Sequence, residues 1–151
     1  MASRKASYRD LRVWQQAMDL LVDVYRVTRR LPNEERNGLQ SQSRRAAVSV
    51  PSNIAEGQGR WHPREFLHSL RVAKSSLQEL ETQIEAMVRL DYVSRDEMKG
   101  VISQADDVGR MLAGLMRTLR KRLEQAPSRH AQRGARNAPR YPRIALSAAS
   151  P

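Results

Sequence analysis

An all-α protein, built as an antiparallel up-and-down four-helix bundle of left-handed sense, is what this 151-residue sequence predicts. Three observations carry the expectation. Phe66–Met87 and Met98–Leu119 each keep an apolar heptad over three repeats. Leu11–Leu31 carries apolar residues at helical spacing on two stripes. The links between these segments are short, which makes sequential helices antiparallel neighbours. A sustained 3.5-residue period adds a left-handed bundle with crossings near ~20°. Helices of ~22 to 30 residues would be ~33 to 45 Å long.

The first helix is expected over about Arg9–Arg30. Leu11, Trp14, Met18, Leu21, Tyr25 and Thr28 form one stripe. Val13, Ala17, Leu20, Val24, Val27 and Leu31 form a second. Two stripes exceed what one bundle seam uses. A broad core face is the plain account; the sharper one, preferred here, turns one stripe to the protomer core and the other to a second subunit.

Leu31-Pro32 stops this helix, and Asn33 is the expected cap of the next, with Glu34 and Glu35 at its positive end. The second helix, within Asn37–Arg60, is the segment the rest serves. Leu39, Ser43, Ala46, Val50 and Ile54 share one face of small apolar residues. Gln42, Arg45, Ser49, Asn53 and Glu56 form a polar stripe flanked by alanine and serine. A helix this small around most of its surface reads as buried, so the stripe needs internal partners. The competing reading is an ordinary solvated face. Arg45 is expected to pair with Glu79 or Glu81, or with Glu56 of a neighbouring subunit. Pro51 removes a ladder donor at about 3 kcal/mol; Gln42, Ser49 and Asn53 are expected to satisfy the freed groups. Gly57 and Gly59 suit left-handed conformations that close the helix.

The third helix is expected from Pro63, tolerated in a first turn, to Leu90. Its heptad is Phe66, Leu70, Ala73, Leu77, Leu80, Ile84 and Met87. After a link at Asp91-Tyr92-Val93, Ser94 and Glu97 read as a capping box. The fourth heptad is Met98, Val101, Ala105, Val108, Leu112, Leu115 and Leu119. The bundle domain therefore covers residues 7–124. Residues 125–151 hold five arginines and no acidic residue, and read as a disordered basic tail.

The quoted runs carry a resemblance. VWQQAM, then QSRRAAVSVPSNIAEGQGR, then EFLHSLRVAKSSLQELE resemble, in this order, a family of small bacterial four-helix-bundle proteins. The family is known from reading frames inside intervening sequences of 23S ribosomal RNA genes. More distantly, the chain is similar to the accessory variability determinant of diversity-generating retroelements. The likeness covers about Ser7–Leu123 and departs at His62-Pro63, where the family carries a Ser or Thr cap. It implies an antiparallel four-helix protomer, a ring-like homopentamer, no known enzymatic activity and an association with nucleic acid.

No run approaches the ~18 consecutive apolar residues of a membrane span, and the N-terminus lacks the apolar core of a secretory signal. There is no cysteine, hence no disulfide or thiolate chemistry. These features fit a cytoplasmic protein that contacts no membrane. Glu65 and His68 match one half of a di-iron E-x-x-H pattern, but a second copy is missing. Glu56–Arg60 lacks the Gly-Lys-Ser/Thr ending of a phosphate loop. No catalytic residue, metal site or cofactor is expected.

The unusual feature is a net charge of +11. Without the tail's five arginines, 22 basic residues still face 16 acidic ones, so the body keeps about +6. Such a surplus points to polyanions. The candidate surface is Arg110, Arg117, Arg120, Lys121 and Arg122 at the end of the fourth helix, with a second group of Arg12, Arg26, Arg29 and Arg30 on the first. A plainer reading is that cations at a helix C-terminus complement its dipole. The expected function is non-enzymatic binding of structured RNA or DNA by a homo-oligomer. The alternative is a protein scaffold that recruits an enzyme, such as the reverse transcriptase of the retroelement relatives.

Overall fold

The computed structural model describes residues 7–60 and 62–126. Four α-helices account for most of them: α1 (Arg12–Thr28), α2 (Leu39–Gly59), α3 (Pro63–Arg89) and α4 (Arg95–Gln125). Short 3-10 turns, Tyr8–Asp10 and Asn33–Arg36, precede α1 and α2. Among the described residues there is no strand. Each helix packs on its neighbour in sequence, and α1 closes the square against α4. Cross-helix bonds fix the antiparallel register there: Arg30 meets Glu97, and Gln104 meets Asp23. Residues 127–151, nearly all of the expected tail, lie outside the described residues.

Local chemistry sets the boundaries. Ser7 and Asp10 form a reciprocal capping box ahead of α1. Ser94 and Glu97 do the same at α4, as expected, which satisfies two donors that would otherwise be orphaned. Asn33 does not cap α2. The chain makes a 3-10 turn first, and Glu35 Oε2 accepts the Leu39 N–H at 2.9 Å instead. α3 ends in a paired turn: Tyr92 N–H donates to Met87 O and Asp91 N–H to Val88 O. Asp91 adopts φ 58° to make it, a conformation usually left to glycine.

Burial decides between the two stripes of α1. Val13, Ala17, Leu20 and Val24 are inside, whereas Leu11, Trp14, Met18, Leu21 and Tyr25 are half-buried along the flank. From α3 the core takes Leu70, Ala73, Leu77, Leu80, Ile84 and Met87. From α4 it takes Met98, Val101, Ala105, Val108, Leu112, Met116 and Leu119. Met116 fills the core position expected of Leu115, which is only partly buried.

α2 and α3 make the closest-packed pair, because α2 faces α3 with small residues. Gly57 is central to that approach. Its φ is not positive, and neither it nor Gly59 adopts the expected left-handed conformation. A methyl group on Gly57 would stand 2.6 Å from Ser69 Cβ and 2.8 Å from Phe66 Cδ2. The glycine is there for room. α2 also runs helical through Pro51, which is buried. The Ser52 hydroxyl donates to Val48 O and Asn53 Nδ2 donates to Ser49 O, both at 2.8 Å. These bonds brace the turn just beyond the Ala47 carbonyl that Pro51 deprives of its ladder donor.

Candidate functional site

The fourth helix ends in a basic turn. Arg117, Arg120, Lys121 and Arg122 are all exposed, and none joins an ion pair among the described residues. Helical rise places them within about 9 Å along the axis. The antiparallel pairing that sets Asp23 beside Gln104 puts Arg12 near the level of Leu115, so Arg12 joins this end of the bundle. It too is exposed and without an ion-pair partner among the described residues.

The remaining candidates lie elsewhere or are neutralised. Arg26 pairs with Asp23 at 2.9 Å, Arg30 pairs with Glu97 at 3.0 Å, and Arg110 pairs with Asp107. Arg26, Arg29 and Arg30 belong to the opposite end of the bundle from Arg117–Arg122, where acidic residues are interleaved. There Arg89 and Arg95 both bond to Glu85 and hold its carboxyl below the usual range. The Ser94 N–H and hydroxyl, helped by Arg30, lower Glu97 likewise. The nine candidates therefore form no single patch.

The polar stripe of α2 is half satisfied within the protomer. Ser49 Oγ and Ser76 Oγ are 2.8 Å apart across the α2–α3 seam, and Asn53 Nδ2 also reaches Ser49 Oγ at 3.1 Å. A hydroxyl pair of this kind contributes about 1 kcal/mol net. Gln42, Arg45 and Glu56 are exposed. Arg45 makes no ion pair with Glu79 or Glu81 in the protomer; it leaves α2 on the solvent side of the seam, so its removal strands no buried carboxylate. Glu56 pairs with Arg60 of its own chain, and Glu79 accepts from Gln83.

One cationic feature escaped the sequence reading. Arg36, Arg44 and Arg45 line a groove between the end of α1 and the start of α2. The adjacent pair Arg44-Arg45 was its only trace in the sequence, since Arg36 precedes the helix.

Other chemistry is sparse. Glu65 and His68 are both exposed, and Glu65 faces Arg60 at 3.8 Å. Among the described residues no group of histidine and carboxylate side chains could hold a metal ion. No helix among them is long and apolar enough to cross a membrane.

Comparison with known proteins agrees with this architecture. No curated protein sequence matches the chain. A solved structure from Bacteroides thetaiotaomicron, described as a protein of unknown function from the S23 ribosomal protein family, superimposes with a TM-score of 0.64 at 20% identity. The alignment covers 69% of this chain and 97% of that one, and it bears on the fold alone. The sequence model of the 23S rRNA-intervening sequence protein family matches residues 9–114, a span that takes in the arginine groove and stops short of Arg117. With that match spanning well over half of its length, the chain belongs to the 23S rRNA-intervening sequence protein family.

Proposed function

We propose that this is a non-enzymatic cytoplasmic protein that assembles with copies of itself into a ring of left-handed bundles and binds structured RNA or DNA through the phosphate backbone. The basic turn at the end of α4 carries the reading: four exposed cations on two helical turns, with no carboxylate paired to them among the described residues. Arginine forks suit phosphate oxygens, and attraction grows with the number of phosphates neutralised. A ring would present one such turn per subunit and multiply a modest charge into a large one. Exposed Val72, beside the α2–α3 seam, supports self-association.

A salt titration of RNA and duplex DNA binding tests this, comparing the full chain, residues 1–126, and a full-chain variant carrying Arg117→Glu, Arg120→Glu and Arg122→Glu. We expect log-linear loss of affinity with salt, retained without the tail and flattened in the charge-reversed variant by about 0.9 in slope per lost contact. Absence of binding at low salt would instead favour a scaffold for a protein partner.

A further inference from the structure

The groove between α1 and α2 differs from the basic turn of α4 in one physical respect: its central cation is held still. Arg44 Nε donates to Thr28 Oγ1 at 2.9 Å, and its guanidinium lies 4.7 Å from the centre of the Tyr25 ring. Thr28 is itself fixed. It is 1% exposed, its hydroxyl donates to Tyr25 O, and its carbonyl accepts from Gln40 Nε2 at 2.8 Å. Folding has therefore already removed the rotamer freedom that a surface arginine loses on binding.

Around Arg44 every charged side chain that lines the groove is cationic. Arg36 and Arg45 line it with Arg44, no carboxylate does, and none of the three joins an ion pair among the described residues. The nearby Glu35 is occupied by the Leu39 N–H and the Tyr92 hydroxyl. The groove is open to solvent and measures about 430 Å³, within the ~300–1,000 Å³ of ordinary ligand sites. Arg44 has five N–H donors, of which Thr28 takes one. Four remain, in the planar fork that matches a phosphate. Val48, 39% exposed, supplies an apolar wall suited to a sugar rather than to a second ion.

We infer that this groove is a phosphodiester-binding site that seats the backbone of a nucleic acid, with Arg44 as the fixed anchor and Arg36 and Arg45 as flanking contacts. The inference rests on the nucleic-acid reading above and adds a place to it. The arginine covers one face of Tyr25, so the site reads backbone rather than stacked bases. It lies toward the opposite end of the bundle from Arg117–Arg122, roughly 30 Å away along the axis by helical rise. The α4 turn attracts a polyanion; the groove sets its position.

The test uses the full chain, a short RNA duplex as probe and three variants. Arg36→Glu with Arg45→Glu changes exposed residues only and is expected to weaken binding about tenfold or more and to flatten the salt slope by about 2. Arg44→Lys keeps the charge and loses the fork, so affinity falls several-fold while the slope stays near wild type. Both results require an unchanged helical spectrum and assembly size. If these variants bind like wild type while charge reversal on the α4 turn abolishes binding, the groove is overturned and the nucleic-acid reading stands. If the wild type binds no duplex, both fall. If lost binding comes with a changed assembly size, the groove is a subunit contact and the inference is overturned.

Discussion

The α2–α3 seam and the α3–α4 seam share one helix and are built on opposite rules. Against α2, helix α3 packs Ser69 onto Gly57 and sets Ser76 against Ser49, so the backbones come close. Against α4, it presents Glu81 and Glu85 beside Asp106 and Arg95 at the margin of a groove floored by Ile84, Ile102 and Ala105. One seam is specified by small side chains; the other fills its core with the two heptads and carries charge along its margin. Errors of volume should therefore damage the first, and errors of protonation the second.

A single substitution made twice gives the largest contrast. Gly57→Ala forces a methyl onto Ser69 Cβ and the Phe66 ring, an overpacking that costs about 1–3 kcal/mol. The helix propensity regained, up to about 1 kcal/mol, does not offset it. Gly109→Ala on α4 places the same methyl at an ordinary 3.5 Å from Leu77 Cδ2. Relieved of a helical glycine, that variant should gain about 0.5–1 kcal/mol. Thermal melts of the two should move in opposite directions, and a shift in the same direction would break the comparison.

The smaller effect is one of pH. Burial, and then the Asp106 charge, push the Glu81 carboxyl above its ordinary range. The folded state thus holds that proton more tightly than the unfolded chain, so Glu81 lowers stability as pH rises through its folded value. Glu81→Gln should stabilise the fold at pH 7, by no more than about 1 kcal/mol for two partly solvated groups, and raise the melting temperature accordingly. The advantage should fade as pH falls through the raised value. Glu85 and Glu97, both lowered, work in the opposite sense: their stabilisation is present above the ordinary carboxylate range and is lost on acidification. They are common to both proteins and cancel in the difference. An advantage that persists at pH 4 would remove Glu81 from the account.

What the sequence made legible follows the same division. The heptads of α3 and α4 and the Ser94–Glu97 box are long or local patterns, and the helices stand where they were expected. The heptads mislead at two outer ends: at the start of α3 Leu67 is buried where Phe66 was expected, and at the end of α4 the seam shifts by one residue. An α-helix drifts by about 20° per heptad against a strict 3.5 repeat, so by the last turns of α4 the core side has moved from Leu115 to Met116. Gly57 reads as a helix stop because glycine usually is one; its real cause is Phe66 and Ser69 on another helix, which no local pattern records. Arg44 and Arg45 look alike in sequence, yet one step of 100° sends the first onto Tyr25 and the second to solvent. The Asp23–Arg26 and Asp107–Arg110 pairs could be read from their spacing of three, whereas Arg30–Glu97 depends on how α1 meets α4.

The short turn between α2 and α3 has a consequence in time. The Ser49–Ser76 contact closes a loop of 27 residues, and the Asp23–Gln104 contact one of 81. Loop-closure entropy separates these by about 1 kcal/mol, so contacts between helices adjacent in sequence are expected to form first and α1 to dock on α4 last. Gly57→Ala should then slow refolding, while Gln104→Ala should mainly quicken unfolding; a chevron showing the reverse would place the nucleus at α1 and α4. The Arg44–Thr28 contact closes a loop of only 16 residues, so the groove belongs to an early hairpin, and a chain interrupted before α4 is made would already have a place to seat a phosphate.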